Sequence, residues 1–288
     1  MKERRKKKIK AMAFLSPSLL GLLVFFVLPF FVVMYYAVVD NPIHHEFVFL
    51  DNFISVMHNQ AFLQAAKNTA VFSAVVVPLA VVLSLILAVL LDSRIPFKSQ
   101  FRTFFLSPMM VPVASIVLIW QVLFHYNGAV NGALANFGML PIDWLKSDYS
   151  QIVIVILFLW KNLGYDMILF MAALGNIPRE LIEVTSLDTS SGFVQFFYIK
   201  LRYLSPTILF VTILSLINSF KIFREVYLLT GDYPYDTLYM LQNFMNNTFK
   251  SMDYQKLSSA AILMAIVMVI IIGILFFTEN KFGEDVEG

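Results

Sequence analysis

Two short stretches put ionisable or amide side chains inside otherwise apolar sequence. "LWKNLGYDMILF" (159–170) carries Lys161 and Asp166, and "INSFKIFREVYLL" (217–229) carries Asn218, Lys221, Arg224 and Glu225. A charge at the centre of a bilayer costs about 2.5–3.5 kcal/mol on insertion scales, so each such group needs a partner or a water-filled space. Lys221 and Glu225 are spaced i,i+4, which on a continuous helix brings them together on one face; a structural pair is the expectation for them. Asp166 and Asn218 have no such neighbour and are expected to face an aqueous cavity. Phe223 and Tyr227 are the aromatic candidates beside it, in the manner of polar-solute sites that combine aromatic faces with a few hydrogen bonds. Trp160, Tyr165 and Phe220 flank the same region, but 15% of the chain is aromatic, so most such rings belong to packing and interfacial belts.

Catalytic chemistry finds no foothold. The chain has no cysteine and four histidines without metal-ligand spacing, and no nucleophile–base or paired-carboxylate arrangement stands out. It contains no G-x-x-x-x-G-K-[ST] phosphate loop, so no ATP site is expected in it. A net charge of +2 is too small to argue for nucleic acid.

The elements that hold these residues follow from composition. The chain of 288 residues is 59% hydrophobic and 14% charged, where a soluble domain is nearer 45–50% and 25%. The excess must be solvated by membrane lipid. A span needs about 20 apolar residues, and six segments qualify: 12–39, 69–91, 104–124, 151–174, 206–229 and 257–278. The first is too long for a cleaved signal peptide and is read as an uncleaved span. At 1.5 Å per residue, Lys161 and Asp166 lie ~15 and ~22 Å from one end of their span, and Asn218 and Lys221 ~18 and ~22 Å from the opposite end of theirs, so the groups overlap near mid-membrane.

Orientation follows from Lys and Arg. Seven lie in "MKERRKKKIK", three in "DSRIPFKSQFR", three in 176–206 and one at Lys281; the intervening loops hold only Lys67, Lys146, Lys250 and Lys256. The positive-inside rule then puts both termini and the 176–206 segment in the cytoplasm. The chain is accordingly divided into 1–66 (basic terminus, first span, first outer loop), 67–278 (the remaining five spans) and the tail 279–288.

The cytoplasmic segment "NIPRELIEVTSLDTSSGFVQFFYIKLRYLSP" is patterned as two helices around "TSSG". Leu181, Ile182, Val184 and Leu187 form one apolar face, and Phe193 opens a second stripe. Glu183 and Asp188 fall away from the first face. A lipid-surface helix is usually rich in Lys and Arg on its polar side; the acids here suit a protein partner. The segment resembles the "EAA" loop of permease subunits of binding-protein-dependent ABC importers, in the sugar-importer branch and its maltose-permease-like first subunit. Ile177-Pro178, Glu183, Asp188, Phe193, Ile199, Leu201 and Pro206 stand in register with that loop. Val184 and Thr185 replace its two alanines, Thr189 its glycine and Arg202 a proline. "LSPSLLGLLVFFVLPF", "DNF", "KNTAVFS", "FRTFFLSPMMVP", "WQVLFHYNGAVNGAL", "LWKNLGYDMILFMAALGNIP" and "FREVYLLTGDYP" extend the likeness, in order, along almost the whole chain.

The resemblance implies an all-α integral membrane protein with six transmembrane helices, the type I ABC importer transmembrane fold and a cytoplasmic coupling helix-turn-helix. It further implies a bacterial or archaeal cell membrane and partners: a second homologous permease, an ATPase subunit dimer that binds ATP and Mg, and an extracellular or periplasmic solute-binding protein. Glu183, Asp188, Leu181, Ile182, Leu187 and Phe193 would then meet the ATPase. The competing class is an ion-coupled secondary transporter using Asp166 or Glu225. Such folds often carry inverted repeats and paired broken helices, and neither is visible here.

Overall fold

The computed structural model describes residues 2–41, 43–93, 96–178, 180–181, 183–184 and 191–283. Among them the chain is all-helical apart from one isolated β-bridge, Val39 to Phe47. Among the described residues five helices are long and apolar enough to cross a membrane, and a bent pair would add a sixth crossing if it is one span. The described residues divide into two compact units, within Met1–Phe62 plus Met245–Met268 and within Leu63–Phe244 plus Val269–Gly288.

The first unit begins with α1 (Lys2–Leu22), a π-helical turn (Leu23–Val27) and α2 (Leu28–Ala37). Pro29 has no N–H to offer the preceding turn, and the backbone widens there, with Leu28 N–H donating to Leu23 O. Phe25 and Phe26 remain exposed, as a lipid-solvated surface would be. The helix α3 (Asp51–Met57) follows the first loop. Asn52 of "DNF" donates to Ala37 O (3.1 Å) and Val39 O (2.8 Å), satisfying carbonyls at the end of the first span that have no intrahelical partner.

The second unit contains most of α4 (Gln60–Asp92), then α5 (Lys98–Met110), α6 (Val113–Leu123), α7 (Ala129–Ala135) and α8 (Ser150–Gly175). After the 176–206 segment come α9 (Ser205–Phe220) and α10 (Phe223–Thr230). The helices α11 (Leu241–Lys250) and α12 (Tyr254–Gly283) follow, each contributing residues to both units. In α8 the buried positions Val153, Ile154, Leu157, Phe158, Met167, Phe170, Met171 and Leu174 recur at three- and four-residue steps, the spacing that puts one apolar stripe on a neighbour.

The third span departs from expectation. Instead of one helix over 104–124, α5 and α6 meet at a 99° bend. Val111 is extended (ψ 131°) because the ring of Pro112 crowds the helical region for the residue before it. Neither arm alone is long enough to cross ~30 Å of hydrocarbon. The second span also starts earlier than 69, at Gln60. The arm α5 lies hard against α8: a Cβ added at Gly164 would come within 1.9 Å of Phe105 O, so only glycine permits the contact.

Candidate functional site

At one end of the α4/α8/α9 bundle, Ala88, Leu91, Met167, Phe170, Met171, Leu174, Leu204 and Val211 form a continuous apolar core. Asp166 sits above it, 1% exposed, accepting a hydrogen bond from Ser215 Oγ across the helix pair at 3.1 Å. It does not line the cavity expected for it. Its partner lies on another helix, which is why nothing near it in sequence announced the bond.

Farther along the same helices, α8 and α9 part around a cavity of about 480 Å³. Asn218, Lys221 and Phe223 line it, as do Arg224 and Glu225; Tyr227 does not. Instead the Tyr227 ring packs on Phe223, with centroids 5.4 Å apart. From α8 come Phe158, Lys161 and Asn162, and Met109 and Gln242 close the wall. Asn218 Nδ2 donates to Asn162 Oδ1 at 3.3 Å, and Asn162 Nδ2 donates back to Phe158 O at 2.8 Å. The two amides therefore hold each other in place on facing helices.

The expected Lys221–Glu225 pair is not formed. The helix α9 ends at Phe220, and α10 begins at Phe223. The non-helical step at Lys221 and Ile222 removes the continuous turn that an i,i+4 contact needs. Buried Glu225 is instead taken by Lys161 of α8 in a hydrogen-bonded ion pair. Lys221 and Arg224 are both exposed on the cavity wall, and among the described residues neither has a carboxylate within ion-pair distance.

Side chains from three helices fasten the elements around this opening. Gln121 of α6 donates to Leu228 O (3.2 Å) and Leu229 O (3.3 Å), carbonyls in the last turn of α10. Asn68 donates to Asp236 O (2.6 Å) and Tyr239 O (3.0 Å), and Gln151 to Thr237 O (2.8 Å), so α4 and α8 both grip the loop that follows α10. Gly231 makes the exit from α10 possible at φ 81°, a conformation costly for any residue with a Cβ. Trp160 packs on Trp120 with ring centroids 5.1 Å apart and belongs to the packing, not to the cavity. Asn162, Gln242 and Met109 were not singled out from sequence. An amide inside the apolar stretch 159–170 could have flagged Asn162, and nothing local could have flagged the other two.

In the 176–206 segment, Glu180, Leu181, Glu183 and Val184 are helical and exposed. Ile182, Leu187 and Asp188 lie outside the described residues. Phe193 is in the short helix Gly192–Gln195, with its side chain outside the description. A π-helical turn, Phe196–Lys200, and Leu201–Tyr203 lead into α9.

Residues 80–281 match the family of binding-protein-dependent transport system inner membrane components. The chain belongs to this family. It is a multi-pass permease subunit. It is 29% identical to the trehalose/maltose transport system permease protein MalF of Thermococcus litoralis, covering 93% of this chain and 92% of the relative. It is 28% identical to the lactose transport system permease protein LacF of Rhizobium radiobacter, with 78% of each covered. Similarity of the same order, 29% with 92% of each covered, relates it to the sn-glycerol-3-phosphate transport system permease protein UgpA of Yersinia enterocolitica. In fold it matches a chain of a bacterial alginate ABC transporter, solved in complex with an alginate pentasaccharide-bound periplasmic protein. The TM-score is 0.85 at 18% identity, covering 98% of this chain and 97% of that one.

Proposed function

We propose that this permease forms half of the translocation path of an ATP-driven importer for a sugar or oligosaccharide. Its fellow subunits are a second homologous permease, a pair of ATPase subunits that bind ATP and Mg, and an external solute-binding protein. The observation that carries the reading is the family match, which takes in α5 and α8 to α11, the helices whose residues meet at the cavity. The relatives named for lactose and for trehalose/maltose support a sugar as the solute. Both termini lie in the cytoplasm in this reading, on the side richest in Lys and Arg. The segment 176–206 docks on the ATPase there, with exposed Leu181 and Glu183 on the described part of its first helix. Rocking of the permeases between inward- and outward-facing states is then a two-state equilibrium biased by ATP.

An ion-coupled mechanism through Glu225 or Asp166 gains no support, since one is neutralised by Lys161 and the other is hydrogen-bonded within the helix packing.

Glu183→Lys tests the coupling. In the purified importer, hydrolysis stimulated by loaded binding protein should fall or ATPase subunits should be lost, while solute binding by the external protein is untouched. Full retention of ATPase and of stimulation would remove this loop as the coupling element. Uptake should also survive an uncoupler when ATP is maintained; immediate loss would return the ion-coupled reading.

A further inference from the structure

The geometry points to an anionic solute, one bearing a carboxylate or a phosphate ester, received by Lys221 and Arg224 in the α8–α9 cavity. The inference rests on the importer reading above and narrows its substrate class.

Among the described residues, four charged side chains reach the cavity wall: Lys161, Lys221, Arg224 and Glu225. The only acid among them, Glu225, is consumed by Lys161. Two cations are left over, both exposed to the cavity and without a carboxylate in ion-pair reach among the described residues. The helix break adds no net sign of its own, because the negative end of α9 and the positive end of α10 meet there. The side chains therefore decide the potential, and it is positive.

A cation within a span needs a partner or a water-filled space; Lys221 and Arg224 have the space, and among the described residues no carboxylate answers them. A neutral sugar would need only the amides present, Asn162, Asn218 and Gln242, which suit hydroxyl groups. It would leave Lys221 and Arg224 with nothing to do. A sugar acid or sugar phosphate uses both sets: hydroxyls on the amides and the anionic group on the two cations. A guanidinium beside an ammonium suits either anion, since Arg presents a planar fork and Lys a point charge.

The test uses the complete importer in proteoliposomes, with its second permease, ATPase subunits and solute-binding protein. The probes are digalacturonate, glycerol 3-phosphate and maltose, so carboxylate, phosphate and neutral sugar are separate arms. One anionic probe should be taken up in preference to maltose. Lys221→Gln with Arg224→Gln should cut that uptake about tenfold or more, as expected for lost charge-assisted hydrogen bonds. Lys221→Arg with Arg224→Lys, which keeps both charges, should restore most of it. Maltose uptake that exceeds both anions and ignores charge removal overturns the anionic solute but leaves the importer reading standing. Uptake of neither anion by an importer whose hydrolysis responds to loaded binding protein also overturns it. Loss of the second permease from the purified glutamine variant overturns it too, by assigning the cations to a subunit contact. Absence of any ATPase subunit from the wild-type complex instead defeats the importer reading itself.

Discussion

The same two helices, α8 and α9, are sealed at one end and open at the other. At the sealed end Met167, Phe170, Met171 and Leu174 interdigitate with Leu204 and Val211, and the buried acid Asp166 is answered by Ser215 from the facing helix. At the open end Asn162 and Asn218 also meet across the helix pair and Lys161 takes Glu225 of α10, while among the described residues Lys221 and Arg224 have no carboxylate in ion-pair reach. In a membrane, what a polar residue does is thus set by what stands opposite it, and the broken helix at Lys221 and Ile222 changes what stands opposite. The continuous helix makes a seal, and the interrupted one makes a cavity.

The sharpest way to break this comparison is to push the sealed scaffold apart. Gly164→Leu would drive a side chain into the backbone of Phe105. Backbone cannot move aside as a side chain can, so the cost is expected at about 3 kcal/mol or more, the upper range of overpacking. Loss of a monodisperse, thermally stable complex in detergent is the expected result; a stable variant would show that α5 and α8 are not held this closely.

A smaller effect separates paired from unpaired charge at the open end. Lys161→Met leaves Glu225 buried with no counter-charge and should destabilise by about 3 kcal/mol. Lys161→Met with Glu225→Met should recover much of that, a coupling that a double-mutant cycle of thermal stability measures. Lys221→Met should shift stability by no more than about 0.5 kcal/mol, since no partner is lost. If Lys221 and Glu225 prove coupled and Lys161 and Glu225 do not, the break in the fifth span has been misplaced.

At the sealed end a single hydrogen bond is at stake. Ser215→Ala removes one hydrogen bond to Asp166 and should cost about 1 kcal/mol. The apparent affinity for transported solute should stay unchanged, because neither residue lines the cavity. A marked change in that affinity with unaltered thermal stability would move Asp166 and Ser215 from the packing into the solute path.

Much of this was written in the chain itself. Apolar length marked six candidate crossings, of which five are single long helices and the third is a bent pair, and the ordered series of segments from "LSPSLLGLLVFFVLPF" to "FREVYLLTGDYP" pointed to the family, because both are read from local sequence that no folding can alter. The charges that would matter, Lys161, Asp166, Lys221, Arg224 and Glu225, were legible for the same reason: apolar surroundings make a charge conspicuous. Their pairing was not. The i,i+4 spacing of Lys221 and Glu225 holds only on an unbroken helix, and no proline or glycine marks the break there. Pro108 and Pro112 were visible and Pro112 marks where the third span breaks, yet the 99° between its two arms could not be read from them. Asp166 met Ser215, and Glu225 met Lys161, over separations of 49 and 64 residues. Distances of that kind are closed by helix packing, and local spacing carries no information about them.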